Sequence, residues 1–192
     1  MTQKNTTRII IAVIILIVLG LILLTAPKTT PKPETNLGEE LETDKEATSI
    51  ELESLVPGAS PVSEKGEVLT TEGKATDNAA IPGSPDAPKQ SASLKEEEIP
   101  EEAVKISVST NGFTPNEFKV KAKSAITLSL TSTDMTHVFK FDDPVLQAIA
   151  IGVGGKETRA ITFNAPSAGD YTFYCDVPGH RGRGETGVMH VE

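Results

Sequence analysis

The sequence predicts an all-β fold for residues 103–192, a Greek-key β-sandwich of seven to eight strands. From Val104 onward, short runs of β-branched and apolar residues alternate with polar ones at a period of two, as half-buried strands do. Clusters of Gly, Pro, Asn and Asp separate these runs at the spacing typical of a sandwich. The sandwich is predicted to follow one N-terminal transmembrane helix and a disordered linker.

Seven strands are predicted, each five to seven residues long, at 104–109, 117–121, 125–131, 137–141, 158–163, 171–175 and 187–191. In the sixth of these, the alternation places Tyr171, Phe173 and Cys175 on one face of the sheet. Cys175 is therefore expected to end a row of core-facing side chains.

Residues 1–26 are predicted to form a cytoplasmic tip and a membrane anchor. The run from Ile9 to Leu24 has no charged side chain, and Lys4 and Arg8 lie just before it. As a helix it would be roughly 24 Å long, near the minimum for crossing a bilayer. A cleaved signal peptide is the alternative, but the run is longer than the usual apolar region of one. The basic flank predicts a single-pass protein of the cell membrane with its C-terminal domain outside the cytoplasm.

Residues 27–102 are predicted to be a disordered acidic linker. They contain 7 basic and 18 acidic side chains and no aromatic residue. Their apolar residues are too sparse to suggest a core, which is the composition of chains that do not fold alone. The simplest role for such a segment is that of a spacer.

Composition also excludes some classes of protein. The net charge is −9, no basic stripe is present, and two Tyr with no Trp offer little surface for base stacking, so binding to nucleic acid is not expected. Cys175 is the only cysteine, which rules out an intramolecular disulfide.

Three side chains could bind a metal: His137, Cys175 and His180. The Cys-x4-His spacing follows a predicted strand, so a loop could return both side chains to one point. One thiolate and two imidazoles form a ligand set that suits copper and is also acceptable to zinc. Each residue also has a purely structural interpretation: a hydrogen-bonded core histidine, a buried thiol and a surface loop residue.

The stretch from Gly169 to Arg181, GDYTFYCDVPGHR, resembles the ligand loop of the cupredoxins, the family of plastocyanin, azurin and auracyanin. The earlier stretches 112–120 and 133–139 resemble the opening strands and the first-histidine loop of the same family. The resemblance covers nearly all of residues 103–192. It implies a cupredoxin-like fold and one copper ion, with His137, Cys175 and His180 as equatorial ligands.

The sequence departs from the family at the axial position. A methionine is usual there, within a Gly-Met-x-Gly pattern, whereas this chain has Gly-Glu-Thr-Gly at 184–187. Glu185 thus takes the place of the methionine and is the expected axial ligand, with Met189 as the alternative. An anionic, harder ligand should favour Cu(II), lower the reduction potential and shift the site toward a tetragonal geometry.

The resemblance implies a mononuclear copper protein that transfers single electrons and is not an enzyme, and the predicted anchor places it at the outer face of the membrane. An unidentified redox protein would be its partner, and Arg181 and Arg183 could steer an acidic partner surface. Two alternatives stay open. The copper site could bind a small ligand or catalyse a reaction, as in a nitrosocyanin-like site, or the domain could capture and deliver copper outside the cytoplasm.

Overall fold

The structure, a computed structural model, describes residues 54–192. Within these residues, nine strands form two sheets. The strands are β1 (Val104–Ser109), β2 (Gly112–Thr114), β3 (Glu117–Val120), β4 (Ala125–Ser132), β5 (His137–Phe141), β6 (Ala150–Val153), β7 (Thr158–Asn164), β8 (Gly169–Cys175) and β9 (Thr186–Val191). The helical elements of this part are single 3-10 turns at Glu96–Glu98, Pro144–Leu146 and Arg181–Arg183.

One sheet has the strand order β2-β1-β4-β7, and the other has the order β3-β9-β8-β5-β6. The pairs β1–β4 and β3–β9 are parallel, and the remaining pairs are antiparallel. Each strand turns its apolar side chains to one shared core. Phe173 of β8 lies near its centre, with its ring stacked on Phe139 at 4.8 Å between centroids.

The predicted all-β sandwich is confirmed, and all seven predicted strands are present with small differences at their ends. Strands β2 and β6 were not predicted. Both are short, with three and four residues, and each contains a glycine, so neither gives a long enough alternating pattern to stand out.

The prediction that residues 27–102 are disordered is wrong for residues 54–102, which we call the N-terminal segment. This segment has little regular structure, but it packs on the sandwich. Val56, Ala59 and Leu94 are buried together with Ala160 of β7 in a second, small apolar cluster. The cluster is too small to be recognised from composition.

Hydrogen bonds to β7 hold the N-terminal segment in register. The Ser91 amide donates to the Ala160 carbonyl at 2.8 Å, and the Leu94 amide donates to the Thr158 carbonyl at 2.8 Å. At the other end of β7, the side-chain oxygen of Asn164 accepts from the Val68 amide at 2.9 Å, and its side-chain nitrogen donates to the Gly66 carbonyl at 2.9 Å. The segment therefore covers an edge strand of the first sheet, which would otherwise present unpaired backbone groups.

The predicted anchor (1–26) and residues 27–53 of the predicted linker lie outside the described residues. None of the helices within residues 54–192 is long and apolar enough to cross a membrane.

Candidate metal centre

The predicted ligands come from the same end of the second sheet. His137 is the first residue of β5, and Cys175 is the last residue of the neighbouring strand β8. Phe139 pairs with Cys175 in the ladder between these strands. His137 lies two residues before Phe139 in β5, so its side chain is on the same face of the sheet. The antiparallel pairing brings both side chains to one edge of the core.

The loop from Cys175 to Glu185 delivers the other two side chains. The Cys175 amide donates to the Glu185 carbonyl at 3.0 Å, which closes the loop at its base. His180 begins the 3-10 turn at Arg181–Arg183, and Gly184 ends it with a φ of +96°, a conformation that glycine adopts without strain. This reversal turns the Glu185 side chain back toward His180.

Four donor atoms converge at this point: the Nδ1 atoms of His137 and His180, the Sγ of Cys175 and Oε2 of Glu185. The two Nδ1 atoms are 3.3 Å apart, and Sγ lies 3.7 and 3.5 Å from those of His137 and His180. Oε2 lies 2.9 and 2.8 Å from the same two nitrogens. All four donors lie within 4.8 Å of one another.

The donor groups are almost completely shielded from solvent. His137 and Glu185 are 0% exposed, Cys175 is 1% exposed and His180 is 5% exposed. Charged or polar groups are rarely buried without partners, so a buried cluster of this composition indicates a binding site.

The environment shifts the pKa values of Cys175 and Glu185 in opposite directions. Burial raises the pKa of Cys175 and thereby favours the neutral thiol. Burial also opposes ionisation of Glu185, but hydrogen bonds from His180, Arg183 and His137 outweigh it and hold the pKa of Glu185 below its ordinary value. A metal ion that binds Cys175 would therefore displace the proton of its thiol.

Asp134 orients the first histidine. Its Oδ1 lies 2.9 Å from Nε2 of His137, and because a carboxylate only accepts, the imidazole donates through Nε2 and turns Nδ1 to the cluster. The Thr110 amide donates to Oδ2 at 2.8 Å and the Met135 amide to Oδ1 at 2.7 Å. The hydrogen bond from Thr110, followed by that from His137, holds the pKa of Asp134 well below its usual range.

The donor set fits a copper ion. Bonds of about 2.0–2.3 Å to nitrogen and sulfur place the ligand atoms of a four-coordinate site roughly 3.3–3.7 Å apart, which matches the distances among Nδ1 and Sγ. One thiolate and two imidazoles are the equatorial donors of blue-copper sites. His137, Cys175, His180 and Glu185 could therefore hold the ion.

Met189, the alternative axial residue, lies elsewhere. It is 0% exposed within β9, where it belongs to the hydrophobic core and pairs with Phe118 and Tyr171 in the ladders on either side. Of the two candidates, Glu185 is the one that lies in the donor cluster.

The sequence predicts no role in the site for Asp134 or Arg183. The position of Asp134, three residues before His137, is a usable signal. Arg183 is expected to steer a partner protein, whereas its Nη2 donates to Oε1 of Glu185 at 3.0 Å. That contact depends on the path of the loop, which the sequence does not reveal.

Comparison with known families gives one match, in which residues 88–186 match the family described as a cupredoxin-like domain. This range is more than half of the chain and contains the four clustered side chains from His137 to Glu185. No curated protein sequence matches the chain significantly.

Several solved structures are similar. Reduced auracyanin from the photosynthetic bacterium Roseiflexus castenholzii is 26% identical, with a TM-score of 0.42, and the match covers 48% of this chain and 98% of that one. Auracyanin A, a "blue" copper protein from Chloroflexus aurantiacus, is 23% identical with a TM-score of 0.39, and 47% and 98% of the two chains are covered. A reduced amicyanin variant is 20% identical with a TM-score of 0.40, over 53% and 92% of the chains.

The predicted cofactor, one copper ion, is confirmed by the family match together with the buried cluster of thiol, imidazole and carboxyl donors.

Proposed function

The chain belongs to the cupredoxin-like family, and from that premise we propose that it carries single electrons by means of one copper ion at the outer face of a membrane. The observation that supports this most directly is the convergence of four buried donor atoms at one end of a rigid sandwich. We propose His137, Cys175 and His180 as the equatorial ligands and Glu185 as the axial ligand.

When bound, copper supplies a one-electron couple between Cu(II) and Cu(I). The residues of the chain hold the donor geometry in place. Asp134 fixes the first imidazole, the closing hydrogen bond between Cys175 and Glu185 fixes the loop, and the Val138 amide donates to Sγ of Cys175 at 3.4 Å. Ligands held in this way move little when the charge of the site changes, which favours rapid electron transfer.

The edge of His180 is the proposed route for the electron, because His180 is the most exposed of the four donors. Pro178 and Gly179 beside it are exposed, and Val177 is partly buried. These residues offer a small apolar surface on which a redox partner protein could dock.

The steering role expected of Arg181 and Arg183 does not form part of this proposal. Arg181 donates to both carboxylate oxygens of Asp142 at 2.7 Å, and Arg183 donates to Glu185 at 3.0 Å. Because both guanidinium groups already bind carboxylates of this chain, the carboxylates offset most of their positive charge, and little of it is left to attract a partner protein.

The membrane location rests on the apolar run from Ile9 to Leu24. We expect the full chain to sediment with membranes and to be degraded by protease added outside intact cells. Recovery in the soluble fraction, or protection from external protease, would contradict this part of the proposal.

The burial of the site favours an electron carrier over the alternatives. A site that binds a small ligand needs an open position at the metal, and a copper carrier needs to release the ion, whereas all four donors here are at most 5% exposed. For the same reason we propose no enzymatic role.

The test is the visible absorption and EPR spectrum of the full chain loaded with Cu(II), followed by repeated reduction and reoxidation in the presence of a chelator. We expect an intense thiolate charge-transfer band that disappears and returns in each cycle without loss of copper. His180→Ala should abolish the band, whereas His190→Ala should not, because His190 lies on the outer face of β9 against Asp170. No band in the wild type would contradict the copper–thiolate site, and loss of copper to the chelator within minutes would instead favour copper delivery.

A further inference from the structure

Arg181 and Arg183 belong to the same 3-10 turn but have different partners. Arg181 forms a two-pronged ion pair with Asp142, and its guanidinium lies 4.4 Å from the centre of the Tyr174 ring. Asp142 is exposed and Tyr174 is partly buried, and neither belongs to the donor cluster. Arg183 instead reaches inward to the one carboxylate of that cluster.

The two oxygens of Glu185 have separate contacts. Oε2 faces the histidine nitrogens at 2.8 and 2.9 Å, whereas Oε1 accepts a hydrogen bond from Nη2 of Arg183 at 3.0 Å. The Glu185 side chain is 0% exposed and that of Arg183 is 46% exposed. The guanidinium therefore lies at the surface and binds the outer oxygen of a buried carboxylate.

We propose that Arg183 is a positioning residue of the copper site, which holds Oε1 of Glu185 so that the carboxylate offers the metal a single oxygen, Oε2. This inference rests on the proposed function. It adds that the proposed axial ligand, Glu185, is held in place by Arg183.

The pairing also has a consequence for charge. Cys175 and Glu185 would bring two negative charges to the site as ligands, and Arg183 brings one positive charge in contact with Glu185. A nearby positive charge stabilises the less positive state of a metal, which is Cu(I). Arg183 thus opposes the preference for Cu(II) that a carboxylate ligand creates.

A surface ion pair is usually worth little, because water screens both charges. The pair between Arg183 and Glu185 differs because its carboxylate is fully buried, and breaking one side of such a pair leaves a buried charge with fewer partners. Arg181 provides a matched comparison, since Asp142 is itself exposed.

The experiment compares Arg183→Gln, Arg183→Lys and Arg181→Gln in the full chain, with the reduction potential, the EPR spectrum and the thiolate band as readouts. In Arg183→Gln we expect a lower potential, because the positive charge is lost and Oε1 is free to approach the metal. The ratio of Cu(I) to Cu(II) affinities should shift roughly tenfold toward Cu(II), which corresponds to about 59 mV for a one-electron couple. Arg183→Lys should recover part of this shift because it keeps the charge, and Arg181→Gln should leave all three readouts unchanged.

A second set of variants connects the effect to Glu185. In a Glu185→Met background, Arg183→Gln should change the affinity ratio by less than about twofold, because the partner of the guanidinium is gone. An equal shift in both backgrounds would overturn the inference, since it would show an effect of charge without positioning. Spectra and potentials of Arg183→Gln identical to those of the wild type would also overturn it while leaving the proposed function intact.

Folding and metal binding are separated by the remaining variants. If Arg183→Gln does not fold, Arg183→Lys is compared with Arg181→Lys, and an equal effect of the two substitutions would overturn the inference. A wild-type chain without a thiolate band would overturn both the inference and the proposed function.

Discussion

The ligand loop (175–185) and the N-terminal segment (54–102) both lack long regular elements, yet only the loop was recognisable from sequence. The loop carries its information in side chains that lie close together in the chain, such as Cys175 and His180. The N-terminal segment carries its information in backbone groups that pair with β7, more than 60 residues away along the chain for the pair Ser91–Ala160. Spacing is visible in a sequence, whereas pairing with a distant strand is not.

Disorder cannot be inferred from composition alone when a segment can pack on a neighbouring domain. Few apolar residues mean that a segment cannot form a core by itself. The N-terminal segment does not need to, because it adds a few buried side chains to a sandwich that is already formed and satisfies its amides on an edge strand.

The largest effect is expected from a substitution in the ligand loop that removes copper binding but leaves the fold intact. In Cys175→Ser we expect the thiolate band to be absent and copper affinity to fall at least about 100-fold, because loss of a direct ligand costs more than loss of its supporting contacts. The far-UV circular dichroism should stay that of the sandwich, since serine is nearly the same size. Because Cys175 is the only cysteine, a retained band would show that the band does not arise from a copper–thiolate bond.

The axial residue gives the next largest effect. Glu185→Met removes an anionic ligand from a buried site, so the reduction potential should rise by about 60–130 mV if the lost interaction is worth that of a charged hydrogen bond. The band should also move toward that of a blue-copper site. A potential and spectrum that do not change would show that Glu185 is not the axial ligand.

The N-terminal segment should respond to a substitution that leaves the copper site unchanged. Asn164→Ala removes the hydrogen bonds to Val68 and Gly66, and we expect the free energy of unfolding to fall by about 2 kcal/mol. Trypsin cleavage after Lys65 and Lys74 should accelerate while the copper spectrum is unchanged. Asn164→Asp, which keeps the acceptor for the Val68 amide, should have a smaller effect, and equally fast cleavage in the wild type would mean that the segment is not held.

The smallest expected effect is a pH dependence near the start of β7. The Gly154 amide donates to Oε2 of Glu157 at 2.7 Å and Arg159 binds Oε1, and these contacts, that of Gly154 first, hold the pKa of Glu157 below its ordinary value. A depressed pKa stabilises the fold above the ordinary pKa of the unfolded chain, and this stabilisation is lost as the pH falls through the folded pKa.

We therefore expect Glu157→Gln to lower the free energy of unfolding by about 1 kcal/mol at pH 7 and by much less at about pH 2, well below the ordinary pKa of a glutamate. Denaturant unfolding of both chains at the two pH values measures this. If the difference in the free energy of unfolding between the wild type and Glu157→Gln grew toward low pH, the stabilising role of the Glu157 carboxylate would be contradicted.

The sequence alone determined the sandwich, because the alternation of apolar residues with a period of two is a local property of each strand. It also pointed to three donors, since the strand that ends at Cys175 and the short loop to His180 are local as well. The prediction that Glu185 is the axial ligand came from the same local spacing, by comparison with the methionine of the family.

Only the tertiary structure decided the contacts that complete the site and hold the N-terminal segment. The contacts of Oε2 with the two histidines, the hydrogen bond from Arg183 to Oε1 and the hydrogen bond between His137 and Asp134 depend on the path of two loops that meet in space. The order of residues 54–102 depends on an edge strand formed by residues far along the chain. Hydrogen bonds between distant segments leave no period or spacing in a sequence, and for that reason the fold had to be known before these interactions could be seen.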